Sequence, residues 1–341
     1  MEKIIKLACL ILLPFGALDQ LAAGGSEPQF RHLLPNNIGR VILDIEAGIP
    51  GRPNVGNQLD DLVGLAVDEI QRSSSTGQNL DEKQKAVHIF SAIARALKNA
   101  NYRHQPGTYP KSLTSVLSSS DKLFDCDTGS FIFLAVADAL RLPVSMVEVE
   151  VPDYSPAREF GDHNFVRWNL SDGDSVDWDP NSESLRIGDK KTEIYGYSWS
   201  RTQLKGYAFF VRGRAWEEYA QVEKQDRRRY FENSLADYDQ SVRLFSQYLK
   251  NKNNIAWLLS TRRELHYLDR EKEALQLANE VISLNDTANS KDTLACAYAL
   301  NQDFPAALQV QMQVIAQYPK VESFSTNFKN IKDGKNCIVD D

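Results

Sequence analysis

The sequence has few cysteines and lacks the spacings that bind zinc. Only Cys9, Cys126, Cys296 and Cys337 occur among its 341 residues, and neither they nor the five histidines form a Cys-x-x-Cys or His-x-x-x-His pair. Structural zinc sites depend on such closely spaced pairs. The acidic stretch 172–179 also lacks the loop pattern of a known calcium site. We therefore expect no metal and no cofactor.

Concentrated positive charge is also missing. The chain carries 39 Lys and Arg residues against 46 Asp and Glu residues, which gives a net charge of −7, and it has no long basic run. Proteins that bind nucleic acid need a basic patch or stripe to contact phosphates. The charge balance therefore argues against a nucleic-acid partner.

Long apolar runs are absent beyond the N-terminus. The apolar stretch Leu7–Leu18 follows Lys3 and Lys6, and a small-residue segment comes after it at 21–24. This pattern predicts a signal peptide over residues 1–24, and the apolar stretch is too short to cross a bilayer comfortably. We therefore expect a periplasmic or secreted protein with no membrane span after signal removal.

Removal of the signal peptide leaves three cysteines. An odd number in an exported chain means that at least one thiol stays unpaired within the chain. The sequence permits a Cys296–Cys337 disulfide with Cys126 outside it, but does not require that pairing.

The first half of the chain predicts a mixed α+β domain over residues 56–200, after an irregular, Gly- and Pro-rich lead-in at 25–55. Apolar residues recur at helical spacing in Gln58–Gln71 and Asp81–Ala100. A loop with one short helix is expected over Asn101–Lys122. After a helix that starts at Cys126 and ends before Pro143, the period changes to two. That change predicts strands at 143–151, 163–170 and 175–179, with an exposed loop at 152–162.

The second half predicts helices only, over residues 204–320, followed by a tail at 321–341. Three helix pairs can be placed near 204–246, 253–284 and 289–317. Their second helices align at small residues, and the spacings between Ser234, Ala274 and Ala307 are 40 and 33 residues. Spacings of this size are typical of stacked helical repeats.

Cys126 is the first candidate for chemistry. It lies where a turn changes into an apolar helix, and Asp127 and Thr128 are positioned to cap that helix. A helix start favours a thiolate over a thiol, and its backbone N–H groups can hold an oxyanion. A lone cysteine is more often a small buried residue, so the hypothesis depends on partners further along the chain.

Those partners are His163 and an aspartate at position 177 or 179. A nucleophile, a base and a carboxylate that orients the base make up a hydrolytic or acyl-transfer triad. The carboxylate fixes the tautomer of the imidazole and stabilises the imidazolium. Each residue alone has an ordinary structural explanation, but the order helix-start Cys, strand His and next-strand Asp is harder to obtain by chance.

Hairpin geometry restricts this triad. A two-residue turn at Asp172-Gly173 would place residues 163 and 179 on opposite faces of the sheet. To lie directly across from His163, Asp179 needs a hairpin centred on Ser171, with a loop of roughly residues 168–174. The triad hypothesis therefore excludes the tight turn.

Several of these segments resemble the transglutaminase-like (papain-like cysteine) superfamily. The matching stretches are Cys126 with its helix 127–135, the exit 140–144, His163-Asn-Phe-Val-Arg-Trp168 and Asp177-Trp-Asp-Pro-Asn181. The resemblance implies a papain-like domain with helices packed on an antiparallel sheet. It also implies a catalytic triad of Cys126, His163 and Asp179, with Asp177 as the alternate carboxylate.

The helical half resembles tetratricopeptide repeats. The stretches that carry this resemblance are 254–261, 273–278, 292–298 and 303–307. It implies a solenoid that binds a protein or peptide. Together the two resemblances predict an exported cysteine enzyme that hydrolyses or transfers acyl groups through a thioester. The alternative is a catalytically idle scaffold in which the repeats carry the function.

Overall fold

The computed structural model describes residues 33–49, 51–74, 80–105, 111–149, 163–188 and 197–338. The predicted signal peptide at 1–24 and the predicted loop at 152–162 lie outside these residues. The fold is mixed helix and sheet, with an antiparallel sheet and a helical C-terminal region. The predicted α+β class is therefore confirmed at this level.

The described residues form twelve α-helices and seven strands. In chain order they are α1 Ile38–Glu46, α2 Gly56–Ser74, α3 Glu82–Asn99, β1 Arg103–His104, α4 Leu113–Ser118, β2 Leu123–Phe124, α5 Cys126–Ala139, β3 Val144–Val149, β4 His163–Asn169, β5 Ser175–Asp179, β6 Ser184–Gly188, β7 Tyr197–Trp199, α6 Arg201–Val222, α7 Arg227–Leu244, α8 Leu249–Thr261, α9 Glu271–Leu284, α10 Ala288–Leu300, α11 Phe304–Gln317 and α12 Glu322–Lys332.

The chain divides into two compact units. The first comprises Met1–Arg40, Gly56–Pro106 and Ser120–Gly196, and the second Val41–Val55, Gly107–Ser119 and Tyr197–Asp341. In the first unit, strands β3 to β6 pair as consecutive antiparallel neighbours in the order β6-β5-β4-β3. The short strands β1 and β2 pair in parallel.

Helix α5 lies in the core of the first unit. All residues from Asp127 to Ala137 are buried, as expected of a helix that is apolar on every side. Phe133 stacks on Trp178 of β5 with ring centroids 3.8 Å apart, and it meets Phe90 of α3 edge-on at 5.7 Å. Phe90 in turn contacts Trp168 of β4. These rings pack α3 and α5 against one face of the sheet.

The β4–β5 hairpin has a three-residue loop. Leu170 N donates to Asp174 O at 2.9 Å, and Gly173, with φ of 89°, donates from its N–H to Leu170 O at 3.0 Å. A type I turn followed by a glycine in the left-handed region is the usual form of such loops. The predicted centre at Ser171 is wrong, because Asn169 pairs with Ser175 and the hairpin is centred on Asp172.

The exclusion of the two-residue turn is confirmed. The register pairs Arg167 with Asp177, so Phe165, two residues earlier, comes level with Asp179. His163 and Asp179 therefore share a face but lie diagonally instead of directly opposite one another.

Two predicted irregular segments contain helices. Within the lead-in predicted at 25–55, α1 forms and buries Ile38 and Ile42. Within the tail predicted at 321–341, α12 forms and buries Phe324 and Ile331. Both helices are short, at nine and eleven residues, and helices of this length depend on burial against the rest of the fold for their stability.

The second unit contains the three predicted helix pairs, α6 with α7, α8 with α9 and α10 with α11. The aligned small residues Ser234, Ala274 and Ala307 are fully buried, so the paired helices approach closely there. Cys296 and Cys337 form a disulfide with Cα atoms 5.4 Å apart. Among the described residues, no helix combines the length and the apolar character needed to cross a bilayer.

Candidate active site

Cys126 is the first residue of α5 and is partly buried, outside the disulfide. The helix is capped by Asp125, whose side chain accepts a hydrogen bond from Thr128 N at 2.9 Å, while Thr128 Oγ1 accepts one from Asp125 N at 3.1 Å. This reciprocal pair is a capping box. Thr128 was predicted as a capping residue and is part of the box, but the prediction of Asp127 is wrong, because its carboxylate bonds elsewhere.

The carboxylate of Asp127 accepts a hydrogen bond from the side-chain amide of Asn164. Asp127 follows Cys126 and Asn164 follows His163, so this buried contact ties the first turn of α5 to the start of β4. A second close approach lies two residues further along the helix. A Cβ atom at Gly129 would come within 3.3 Å of Pro180, the residue after Asp179. The first turn of α5 is thus hydrogen-bonded to the residue after His163 and lies close to the residue after Asp179.

His163 and Asp179 are joined directly. His163 Nε2 and Asp179 Oδ1 are 3.0 Å apart, and the same oxygen accepts a hydrogen bond from Asn181 N at 2.8 Å. Burial by itself would raise the pKa of Asp179. The hydrogen bond from His163 and the electrostatic effect of its imidazole, with backbone donors at Asn181 and Ser182, outweigh burial and hold that pKa below its usual range.

Asp177, the alternate carboxylate, has different partners. It is almost fully buried and accepts two hydrogen bonds from Arg167, from Nε at 2.8 Å and Nη2 at 3.0 Å. Arg186 of the neighbouring strand donates a third at 2.8 Å. Two guanidinium groups therefore occupy Asp177, whereas the carboxylate that contacts His163 is Asp179.

His104 and Glu183 also belong to this cluster, although the sequence gives them no clear role. Glu183 accepts a hydrogen bond from His104 N at 2.9 Å. Burial, together with the electrostatic effect of His163, holds the pKa of His104 below its usual range, although the charges of Asp125, Glu183 and Asp179 act in the opposite direction. These charge interactions place the helix cap, both histidines and Asp179 in one neighbourhood.

Asn181 is a further site residue that the sequence pattern did not identify. Its side-chain amide lies 3.1 Å from His163 Nδ1. The only signal is its position two residues after Asp179 in the segment Asp-Pro-Asn, where a proline restricts the backbone.

A cavity of about 220 Å³ opens beside these residues. Its walls include Leu97, Tyr102, Phe124, Trp178 and Glu183. Glu183, which accepts a hydrogen bond from His104 N, is the wall residue that the cavity shares with this cluster, and Arg95 and Lys98 add charged groups to the walls.

Within the part of the chain that the structure describes, no group of three or more His, Cys, Asp or Glu residues could hold a metal ion. The arrangement offers a thiol at a capped helix start and an imidazole bonded to a carboxylate. Comparisons with protein-family models, with curated proteins and with solved structures find no match to this chain.

Proposed function

We propose that this protein is a cysteine enzyme that cleaves or transfers acyl groups through a thioester on Cys126. The observation that carries the proposal is the 3.0 Å contact between His163 and Asp179. The Asp127–Asn164 hydrogen bond, which ties the helix start to the same strand, supports it. A papain-like or transglutaminase-like fold, as the sequence resemblance implies, is part of the proposal.

The proposed reaction has two steps. The Cys126 thiol gives its proton to His163, and the sulfur attacks the substrate carbonyl to form a tetrahedral oxyanion that backbone N–H groups at the helix start can hold. Collapse breaks the C–N bond of an amide, and His163 returns the proton to the departing amine. Water or a second amine then attacks the thioester, and Cys126 recovers its proton.

Asp179 supports this chemistry by fixing the imidazole. A carboxylate accepts hydrogen bonds only, so it selects the tautomer with a proton on Nε2 and leaves the Nδ1 lone pair to receive the thiol proton. The negative charge of Asp179 then stabilises the imidazolium.

The remaining parts of the proposal concern substrate and location. We propose that the helices from 204 to 320 form tetratricopeptide-like repeats that bind a protein or peptide. The N-terminal segment predicts export to the periplasm or beyond.

The direct test of the proposed function is the reactivity of Cys126 in protein lacking residues 1–24. With Cys296 and Cys337 in a disulfide, iodoacetamide reports on Cys126. We expect alkylation well below pH 8, slowed by His163→Gln. An alkylation rate that follows an ordinary thiol with a pKa of about 8.5, and that is the same in His163→Gln, contradicts the proposal.

The idle-scaffold alternative is tested with Cys126→Ala. As a trap in periplasmic extract, this variant should retain proteins that the wild type converts. If the wild type converts none of the retained proteins, the protein is a binding scaffold and the enzymatic proposal fails.

A further inference from the structure

Both ring nitrogens of His163 have hydrogen-bond partners. Nε2 lies 3.0 Å from Asp179 Oδ1, and Nδ1 lies 3.1 Å from Asn181 Nδ2. Because a carboxylate only accepts, Nε2 carries the proton in this pair. The Nδ1 lone pair then accepts an N–H of the Asn181 amide. The two contacts together define one neutral tautomer of His163.

This arrangement conflicts with the proposed reaction at one atom. With Nε2 committed to Asp179, the thiol proton can reach the imidazole only at Nδ1. The Asn181 amide already uses that lone pair, so the amide and the Cys126 thiol compete for it. Once Nδ1 is protonated, the amide N–H would face another N–H, and the amide must move away.

Asn181 can move its side chain without losing its backbone anchor. Its N–H donates to Asp179 Oδ1 at 2.8 Å, and the preceding residue, Pro180, is buried. The side chain of Asn181 is exposed. Rotation about its side-chain bonds therefore releases Nδ1 while the turn that holds Asp179 stays in place.

We propose that Asn181 is a positioning residue. Its side-chain amide hydrogen-bonds to the proton-accepting nitrogen of His163 in the resting site, and this bond breaks when Cys126 is deprotonated. This inference rests on the proposed function, because the amide acts on Cys126 only through His163. It predicts that removing the amide makes Cys126 more reactive, in contrast to the usual result of mutating a residue beside an active site.

The test measures Cys126 alkylation between pH 5.5 and 9 in protein lacking residues 1–24. Asn181→Ala should react about three- to tenfold faster at pH 6.5, the rate change that corresponds to losing one neutral hydrogen bond. The curves should converge at high pH, where the thiol ionises without a base. Asn181→Leu also lacks the amide, at nearly the same side-chain size, and should accelerate the reaction as Asn181→Ala does.

A spectroscopic signature checks the contact itself. In wild type labelled with ¹⁵N, the His163 Nδ1 resonance should show a hydrogen-bonded lone pair, and Asn181→Ala should move it towards the value of an unbonded ring nitrogen. An unchanged resonance, an unchanged alkylation rate or slower alkylation in Asn181→Ala overturns the inference. A merely structural role in the turn predicts no specific change at Nδ1, because both variants keep the backbone donor.

Control variants distinguish the effect of Asn181 on the alkylation rate from effects of other titratable groups. The charged or titratable groups near the His163–Asn181 pair are Asp179, His104, Asp125 and Glu183. His104→Phe should keep the acceleration caused by Asn181→Ala. His163→Gln should abolish it, since the amide acts through the imidazole. If His163→Gln leaves wild-type reactivity unchanged, the proposed function fails, whereas the Nδ1 resonance still decides whether the Asn181 contact exists.

Discussion

Asp179 lies in the sheet of the first unit and Asp292 in the helical second unit. The two carboxylates differ in whether a hydrogen-bond partner can carry a positive charge. Asp179 contacts His163, which can become positively charged, and its pKa lies below the usual range even though burial acts to raise it. Asp292 contacts the side-chain amides of Gln311 and Asn327, and burial raises its pKa to about 6. At Asp292 the amide donors do not offset the desolvation of the carboxylate, whereas at Asp179 the imidazole and two backbone donors do.

The difference assigns different roles to the two carboxylates. Asp292 and its amides join α10, α11 and α12, so this cluster organises the helical unit. In the mechanism that we propose, Asp179 stabilises the positive charge that appears on His163.

The largest effect is expected at Asp177, the second sheet aspartate with cationic partners. Asp177→Asn leaves the guanidinium groups of Arg167 and Arg186 without their carboxylate. Arg167 is almost fully buried, so we expect a loss of about 3–5 kcal/mol in the free energy of unfolding, measured by urea denaturation.

The matched control for Asp177→Asn lies on the same hairpin. Asp174 is more exposed and contacts Lys83 at 3.4 Å, so Asp174→Asn should cost less than about 1 kcal/mol. If both variants lose the same free energy of unfolding, the contribution of these ion pairs to stability does not depend on burial.

The next effect is the pH dependence caused by Asp292. Its folded pKa of about 6 exceeds the usual unfolded value of about 3.9, so the contribution of this group to stability is complete below pH 4 and is lost as the pH rises through 6. The full change is roughly 3 kcal/mol as an upper estimate. Because burial also raises the pKa of Glu46, Glu217 and Asp237, the difference in unfolding free energy between wild type and Asp292→Asn from pH 4 to 7 measures it.

Asp292→Asn should remove this pH dependence, and Asp179 should show the opposite sign. Because the pKa of Asp179 is lowered on folding, its contribution is present above the unfolded value and is lost as the pH falls through the folded value. If the unfolding free energies of wild type and Asp292→Asn change by the same amount from pH 4 to 7, the assigned environment of Asp292 is contradicted.

The smallest effect concerns Asp125, the cap of the cysteine helix. Asparagine caps a helix about as well as aspartate, so Asp125→Asn should keep α5 while removing a negative charge beside Cys126. Less negative charge favours the thiolate, and we expect Cys126 alkylation at pH 6.5 to rise by about two- to threefold. Asp121→Asn, on the nearby exposed turn, is the control and should leave the rate unchanged.

Local sequence signals predicted much of this site. The spacing of apolar residues predicted the helix from Cys126 and the strands that carry His163 and Asp179. The alternation of side chains between the two faces of a sheet excluded the two-residue turn. These features depend on residues close together in the chain, where spacing and turn chemistry are informative.

The remaining features depend on distant residues. One such feature separates Asp177 from Asp179 as the partner of His163. Arg186 donates a hydrogen bond to Asp177, and the two residues meet because β6 pairs with β5. The Asn181 contact needs the position of the His163 ring. The predicted turn centre was Ser171 and the observed one is Asp172. A glycine such as Gly173 occurs in three-residue loops as well as in shorter turns, so its position alone does not determine the loop length.

The central claim is that Asp179 orients His163 to activate Cys126, and Asp179→Asn tests it most directly. This change keeps the size of the side chain but removes the charge that selects the tautomer and stabilises the imidazolium. The measurement is the rate of Cys126 alkylation at pH 6.5 in wild type, Asp179→Asn and the hairpin control Asp174→Asn. The account predicts that Asp179→Asn slows the reaction at least about tenfold and that Asp174→Asn leaves it unchanged. Equal rates in all three proteins would contradict the account.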